Sequence, residues 1–153
     1  KKKINKKKIS LSVSLQRKKE INYGMNKIST YKKFAKRVKL SKKELKKIFM
    51  KINSTNKKII GYGVTAKSTT ILNYCKIGKG LISYFIDTTK AKQNKYTPGT
   101  KIPIFKYSGF INKDIDFIFL GAWNFKKEIF KKEKSFIKRG GKFITHTPFP
   151  RIL

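Results

Sequence analysis

Residues 57–68, KKIIGYGVTAKS, place a short apolar strand directly before two closely spaced glycines and a helix-forming run. That order reads as the phosphate-cradling turn of a dinucleotide-type fold, G-x-G-x-x-A, at Gly61, Gly63 and Ala66. A second mark stands at the right distance. LISYFID, residues 81–87, is another strand, and it ends in Asp87, about 20 residues beyond the turn, where such folds hold a ribose hydroxyl. A glycine pair alone is weak. Strand, turn, helix, strand and terminal acid in sequence narrow the choice to a Rossmann-like α/β unit, with a mostly parallel sheet and helices on both faces.

The rest of the chain fits that frame. Residues 1–8 read as a basic arm, and Ile9 to Leu15 (ISLSVSL) alternates apolar and small polar residues as a half-buried strand does. From Ser29 a long amphipathic helix is expected. Tyr31, Phe34, Ala35, Val38, Leu45, Ile48, Phe49 and Ile52 share a face, and a capping-box spacing at Ser41 and Glu44 allows a restart. After the linker-like cluster Asn53 to Asn56, strands are expected near Lys58–Gly61 and Ile82–Ile86, with a helix over Ala66–Tyr74 between them. The unbroken apolar run of IDFIFLGA marks a buried strand, Phe125–Lys138 a helix stopped by Gly140-Gly141, and KFITH a last strand. Three segments follow: 1–24, 25–56 and the α/β unit 57–153.

Chemistry gives the turn its residues. Gly61 and Gly63 let an anion approach with no Cβ in the way, and the amides opening the next helix point at that anion along the helix dipole. Tyr62 stands between the glycines; Thr65, Ser68, Thr69 and Thr70 add hydroxyls, and Lys67 a cation. The plain alternative is a tight strand-to-helix turn whose glycines serve packing. GYGVTAKS also nearly spells G-x-x-x-x-G-K-[ST], but Ala66 replaces the second glycine, and Asp116 opens the buried strand where a magnesium ligand should end it; a nucleotide triphosphatase is excluded on both counts. Trp123-Asn124 follows the buried strand at its carboxyl end, suited to stacking on a base or sugar and to binding a hydroxyl. Lys92, Gln93, Lys95 and Tyr96 lie on a loop able to fold over a diphosphate, or simply to be solvated. His146 and Cys75, each the sole residue of its type, read as packing residues.

Composition limits the partners. The net charge of +33 suggests nucleic acid, but the cations are nearly all lysine and spread along the chain, with arginine only at Arg17, Arg37, Arg139 and Arg151. Sequence readers favour arginine's bidentate fork, so specific nucleic-acid binding is not expected. One cysteine rules out a disulfide framework and suits a reducing cytoplasm. No apolar run approaches the roughly 20 residues of a membrane span, and no apolar stretch follows KKKINKKK as a signal peptide requires. The start without methionine is compatible with a fragment.

Taken as a set, GYGVTAKSTTILNYCKIG, FIDTTKAKQNKYTPGTKIPI, FLGAWNFKKEI and GGKFITHTPFPRIL resemble the carboxy-terminal domain of S-adenosylmethionine-dependent sugar C-methyltransferases, over residues 25–153. ISLSVSLQRK is similar to the closing strand of the family's methyl-donor domain. The resemblance implies that a base removes a proton beside a keto group of a nucleotide-linked deoxysugar and that the enolate attacks the donor methyl. It implies that S-adenosylmethionine sits in a preceding domain absent from this chain, present in cis or in trans, and that most of the catalytic bases lie there too. For this chain it implies substrate anchoring without catalysis: Gly61, Tyr62, Gly63, Thr65, Ala66, Lys67 and Ser68 along the diphosphate, Asp87 and Asn124 near the same pocket. The chain departs from the common pattern at Val64-Thr65 and Ser68-Thr69-Thr70, so the sugar and nucleotide stay open. A nicotinamide-dinucleotide domain of an oxidoreductase and a basic nucleic-acid-associated protein are the alternatives.

Overall fold

The computed structural model describes residues 9–153, so the basic arm at 1–8 lies outside the described residues. The chain divides into two units, the first ending at Lys39 and the second running from Leu40 to Leu153.

The first unit is helical. Leu11–Tyr23 forms α1, where alternation had suggested a strand. The reason is local. Ser10 caps the helix by accepting from the Val13 amide, and Gly24, at φ 79°, stops it by donating its N–H to the Glu20 and Ile21 carbonyls. A strand needs a neighbour for its backbone groups, whereas a helix satisfies its own. No α1 side chain is buried.

Ile28–Asn53 is a single helix, α2. The capping-box spacing at Ser41 and Glu44 does not interrupt it, because apolar residues recur at helical spacing through that point. In the second unit Leu45, Phe49 and Ile52 of α2 are buried, and the Phe49 ring meets Phe119 at 5.7 Å between centroids.

The second unit is a seven-stranded sheet of order β3-β4-β2-β1-β5-β6-β7. Its strands are β1 (Ile59–Tyr62), β2 (Phe85–Asp87), β3 (Lys95–Tyr96), β4 (Pro103–Lys106), β5 (Phe117–Leu120), β6 (Lys142–Thr145) and β7 (Arg151–Ile152). The pairs among β4, β2, β1, β5 and β6 are parallel, and the edge strands β3 and β7 run antiparallel. The fold is therefore α/β with a mostly parallel sheet, as the alternation of elements predicts. Neither edge strand had a counterpart in the sequence reading: β3 falls in what read as a loop and is held by β4, and Phe143 and Leu153 exchange backbone bonds to hold β7.

Helices cover both faces. On one, α2 and α3 (Ala66–Cys75) pack Phe49, Leu72 and Cys75 against Ile59, Phe85, Phe119 and Ile144. On the other, α4 (Lys126–Lys132) and α5 (Lys134–Lys138) pack Ile129 and Phe136 against Ile60, Ile118, Leu120 and Phe143. The expected single helix over 125–138 is thus two, meeting at Glu133. Because β1 pairs with β2 on one side and β5 on the other, the chain reverses direction across the sheet at β1. Folds of this kind hold ligands in the crevice beyond the strand ends at such a switch point.

Gly61 belongs to this packing and not to an open turn. A Cβ there would run into the Phe85 ring. Gly61→Ala is expected to cost about 1–3 kcal/mol through overpacking, while Gly80→Ala, where added carbon meets open space, stays within about 0.5 kcal/mol. Urea unfolding of both variants checks this; equal midpoints would remove the packing role.

Candidate functional site

The β1-to-α3 corner is closed from within. The Gly63 amide donates to the Ile86 carbonyl at 2.9 Å. The Val64 amide donates to Asp87 Oδ2 at 2.8 Å. Thr65 caps α3 in a reciprocal box: its amide donates to Ser68 Oγ (2.9 Å), and the Ser68 amide donates to Thr65 Oγ1 (3.1 Å). The row of main-chain donors expected to grip a diphosphate is therefore mostly spent on the protein. Among the described residues, only the Ala66 and Lys67 amides of this corner lack a protein acceptor.

The glycines have structural reasons. Gly63 turns at φ 77°, and a Cβ on it would press into Ala122; one on Gly121 would press into the Gly63 carbonyl. The Tyr62 carbonyl accepts from both the Gly121 and Ala122 amides, at 3.0 and 3.2 Å, and the Thr65 hydroxyl reaches the Gly121 carbonyl at 3.2 Å. The corners after β1 and β5 thus interlock. The plain packing alternative accounts for both Gly61 and Gly63.

Asp87 is likewise committed. Beside the Val64 bond, Oδ1 accepts from the Thr89 amide at 2.8 Å, and the Lys92 ammonium lies 3.5 Å from Oδ2. Burial pushes this carboxyl up, but the Thr89 and Val64 amides and Lys92 outweigh it, and its pKa falls below the ordinary value. The residue expected as a ribose ligand thus also brackets the corner from within, one oxygen on each of two amides. Lys92, expected to reach over a diphosphate, instead donates to the Val64 carbonyl at 2.6 Å. Gln93 ties the same loop to the Asp87 carbonyl at 3.0 Å.

Three hollows meet at Thr65 along the carboxyl ends of the strands. One, of about 290 Å³, is lined by Tyr62, Gly63, Asp87, Lys92, Phe125 and Lys132 among others. The second, about 150 Å³, lies under Trp123 and Asn124 beside Ala66, Lys67, Gly121 and Ala122. The third, about 560 Å³, runs between α3 and the β3 hairpin, bordered by Ala66, Thr69, Thr70, Lys92, Lys95 and Tyr96. Every site residue expected from the sequence lines one of these, except Gly61, under Phe85, and Ser68, wholly buried in the cap. The Lys67 ammonium lies 5.6 Å from the Trp123 ring centroid, within cation–π range.

Some residues escaped the sequence reading. Glu133, 1% exposed, accepts from the Tyr62 hydroxyl at 3.1 Å behind the first hollow. Burial and then the Glu133 charge push the Tyr62 phenol far above its usual range, and burial followed by the nearness of Glu133 raises Tyr107. The signal was present: Glu133 falls four residues after Ile129 and three before Phe136, on the apolar stripe of its helix. The corner residues Gly121 and Ala122 gave no such signal. His146 is buried against Phe119, centroids 5.6 Å apart, and burial lowers its pKa. Cys75 is buried and its thiol is pushed up by burial. Among the described residues, no helix is long and apolar enough to cross a membrane.

An α/β sheet with a switch-point crevice and a closed glycine corner defines a Rossmann-like domain. The model of the C-methyltransferase C-terminal domain family matches residues 1–148, and the chain belongs to that family. It is 33% identical over 134 residues to the C-methyltransferase NovU of Streptomyces niveus, covering 88% of this chain and 32% of that protein. The chain thus spans about a third of the length of this curated relative.

Asp87 sets a pH signature. Its folded pKa is depressed, so its stabilisation is full above the ordinary carboxylate value of about 3.9 and disappears as pH falls through the lower folded value. Asp87→Asn should cost about 1–3 kcal/mol near neutrality, a gap that closes below about pH 4. Urea melts of both proteins against pH measure it, and a gap unchanged in acid would refute the bracket.

Proposed function

We propose that this chain is the substrate-anchoring domain of a C-methyltransferase acting on a nucleotide-linked keto-deoxysugar. The methyl donor, S-adenosylmethionine, is held by a methyl-donor domain outside this chain, in cis or in trans. The observation that carries the reading is the meeting of three hollows over the α3 N-terminus, in a chain of this family. A nucleotide-sugar has three parts, and its central diphosphate suits the two amides still free, at Ala66 and Lys67, together with the Lys67 ammonium. The sugar fits beside Trp123 and Asn124, where an aromatic face and an amide suit a ring and its hydroxyls.

The corner itself does not suit an adenosine cofactor. A dinucleotide or S-adenosylmethionine held there needs a free acid at the end of β2, and Asp87 is already bonded to two amides. This weighs against the oxidoreductase alternative and supports a methyl donor held elsewhere. This chain then contributes orientation: it fixes the sugar carbon relative to the donor and exchanges translational freedom for proximity. Without the donor domain it transfers no methyl group.

Binding is read at physiological salt, which screens non-specific attraction to a chain of charge +33. Thymidine diphosphate-glucose should raise the melting temperature and change the emission of Trp123, the sole tryptophan, whereas NAD should do neither. A larger shift with NAD would reverse the assignment. Purified chain given S-adenosylmethionine and a thymidine diphosphate 4-keto-6-deoxysugar should yield no methylated product; turnover by the chain alone would end the proposed division of labour.

A further inference from the structure

We infer that the largest hollow is a nucleobase subsite and that Tyr96 is its stacking platform, an inference that rests on the nucleotide-sugar reading above. The cavity of about 560 Å³ lies between α3 and the β3 hairpin, far roomier than the one of about 150 Å³ under Trp123. The two share Thr65 and Ala66, so a ligand whose diphosphate lies over the α3 N-terminus enters one with each end. The end that needs the larger space and a flat aromatic wall is the base.

Tyr96 supplies that wall. The residue is 67% exposed and borders the cavity. A lone surface tyrosine needs no explanation; this one is rigidly mounted. β3 pairs Lys95 with Ile104 and Tyr96 with Pro103, and the Asn94 and Thr97 amides close the hairpin onto the Ile104 and Ile102 carbonyls, both at 2.9 Å. Beyond it, the Thr97 hydroxyl accepts from the Ile102 amide at 2.9 Å, and the Asn73 side-chain amide of α3 donates to the Pro98 carbonyl at 2.9 Å. A hairpin backbone held in place before binding has little freedom left to lose when a base stacks on the ring it carries. Across the cavity, the Thr69 hydroxyl makes no hydrogen bond among the described residues, which leaves it for the polar edge of a base. Thr70 is different: its hydroxyl already donates to the Ala66 carbonyl.

The test uses the whole chain at physiological salt, with thymidine 5′-diphosphate and inorganic pyrophosphate as probes, followed by calorimetry. Wild type should bind the nucleotide more tightly than pyrophosphate. Tyr96→Ala should weaken the nucleotide about tenfold or more and leave pyrophosphate unchanged, while Tyr96→Phe keeps both. Because Tyr96 is exposed, the ligand-free melting temperature should not move, so folding is controlled. Nucleotide affinity unaltered in Tyr96→Ala would overturn the base subsite and leave diphosphate anchoring standing. A loss in Tyr96→Phe equal to that in Tyr96→Ala would overturn stacking in favour of the hydroxyl. Failure of wild type to prefer the nucleotide overturns the subsite, and failure of thymidine diphosphate-glucose to bind at all takes the functional reading with it.

Discussion

The contact between the corners after β1 and β5 governs this molecule. The Tyr62 carbonyl receives two amides from the β5 corner, and Gly63 and Gly121 come so close that neither tolerates a Cβ. That closeness sets where α3 and α4 leave the sheet and brings Thr65 to the junction of all three hollows. It also explains a glycine pattern that otherwise suggests an open phosphate cradle. Glycine is required because a Cβ would meet the Phe85 ring at Gly61, the Ala122 methyl at Gly63 and the Gly63 carbonyl at Gly121, a steric demand like the one a phosphate would make.

The second consequence concerns charge. A buried acid at the end of β2 costs desolvation unless donors surround it. Asp87 finds them in two amides and, more distantly, in Lys92. The loop from Thr88 to Lys101 is thereby drawn over the corner, and its hairpin becomes one wall of the largest hollow. Lysine and acid that look like ligand groups in isolation serve to position this wall. Among the described residues of this corner, the Ala66 and Lys67 amides keep no protein acceptor, and the Lys67 side chain and the Trp123 and Tyr96 rings border the hollows.

On the opposite sheet face, Glu133 shows how a helix break can serve a site. The residue is nearly inaccessible and takes the Tyr62 hydroxyl, so the floor of the first hollow is fixed by a polar bond within an apolar layer. Such a bond restrains both partners, because leaving either unpaired in the core is costly.

The α/β alternation, the central strands and the helix after Thr65 could be read from the chain, because apolar runs and glycine stops are local signals. So was the family, carried by blocks such as GYGVTAKS and FLGAWNF that stay recognisable whatever their neighbours do. The alternation in ISLSVSL misled, since period-two patterning describes a strand only where another strand can pair with it. The use of each site residue was decided in three dimensions. Asp87 and Val64 carry the same letters whether they meet a ligand or one another, and only the approach of the β1 and β2 ends, where the Val64 amide reaches Asp87 Oδ2, shows the internal bond. Local chemistry determined which elements form; long-range packing determined which polar groups were left over to bind anything.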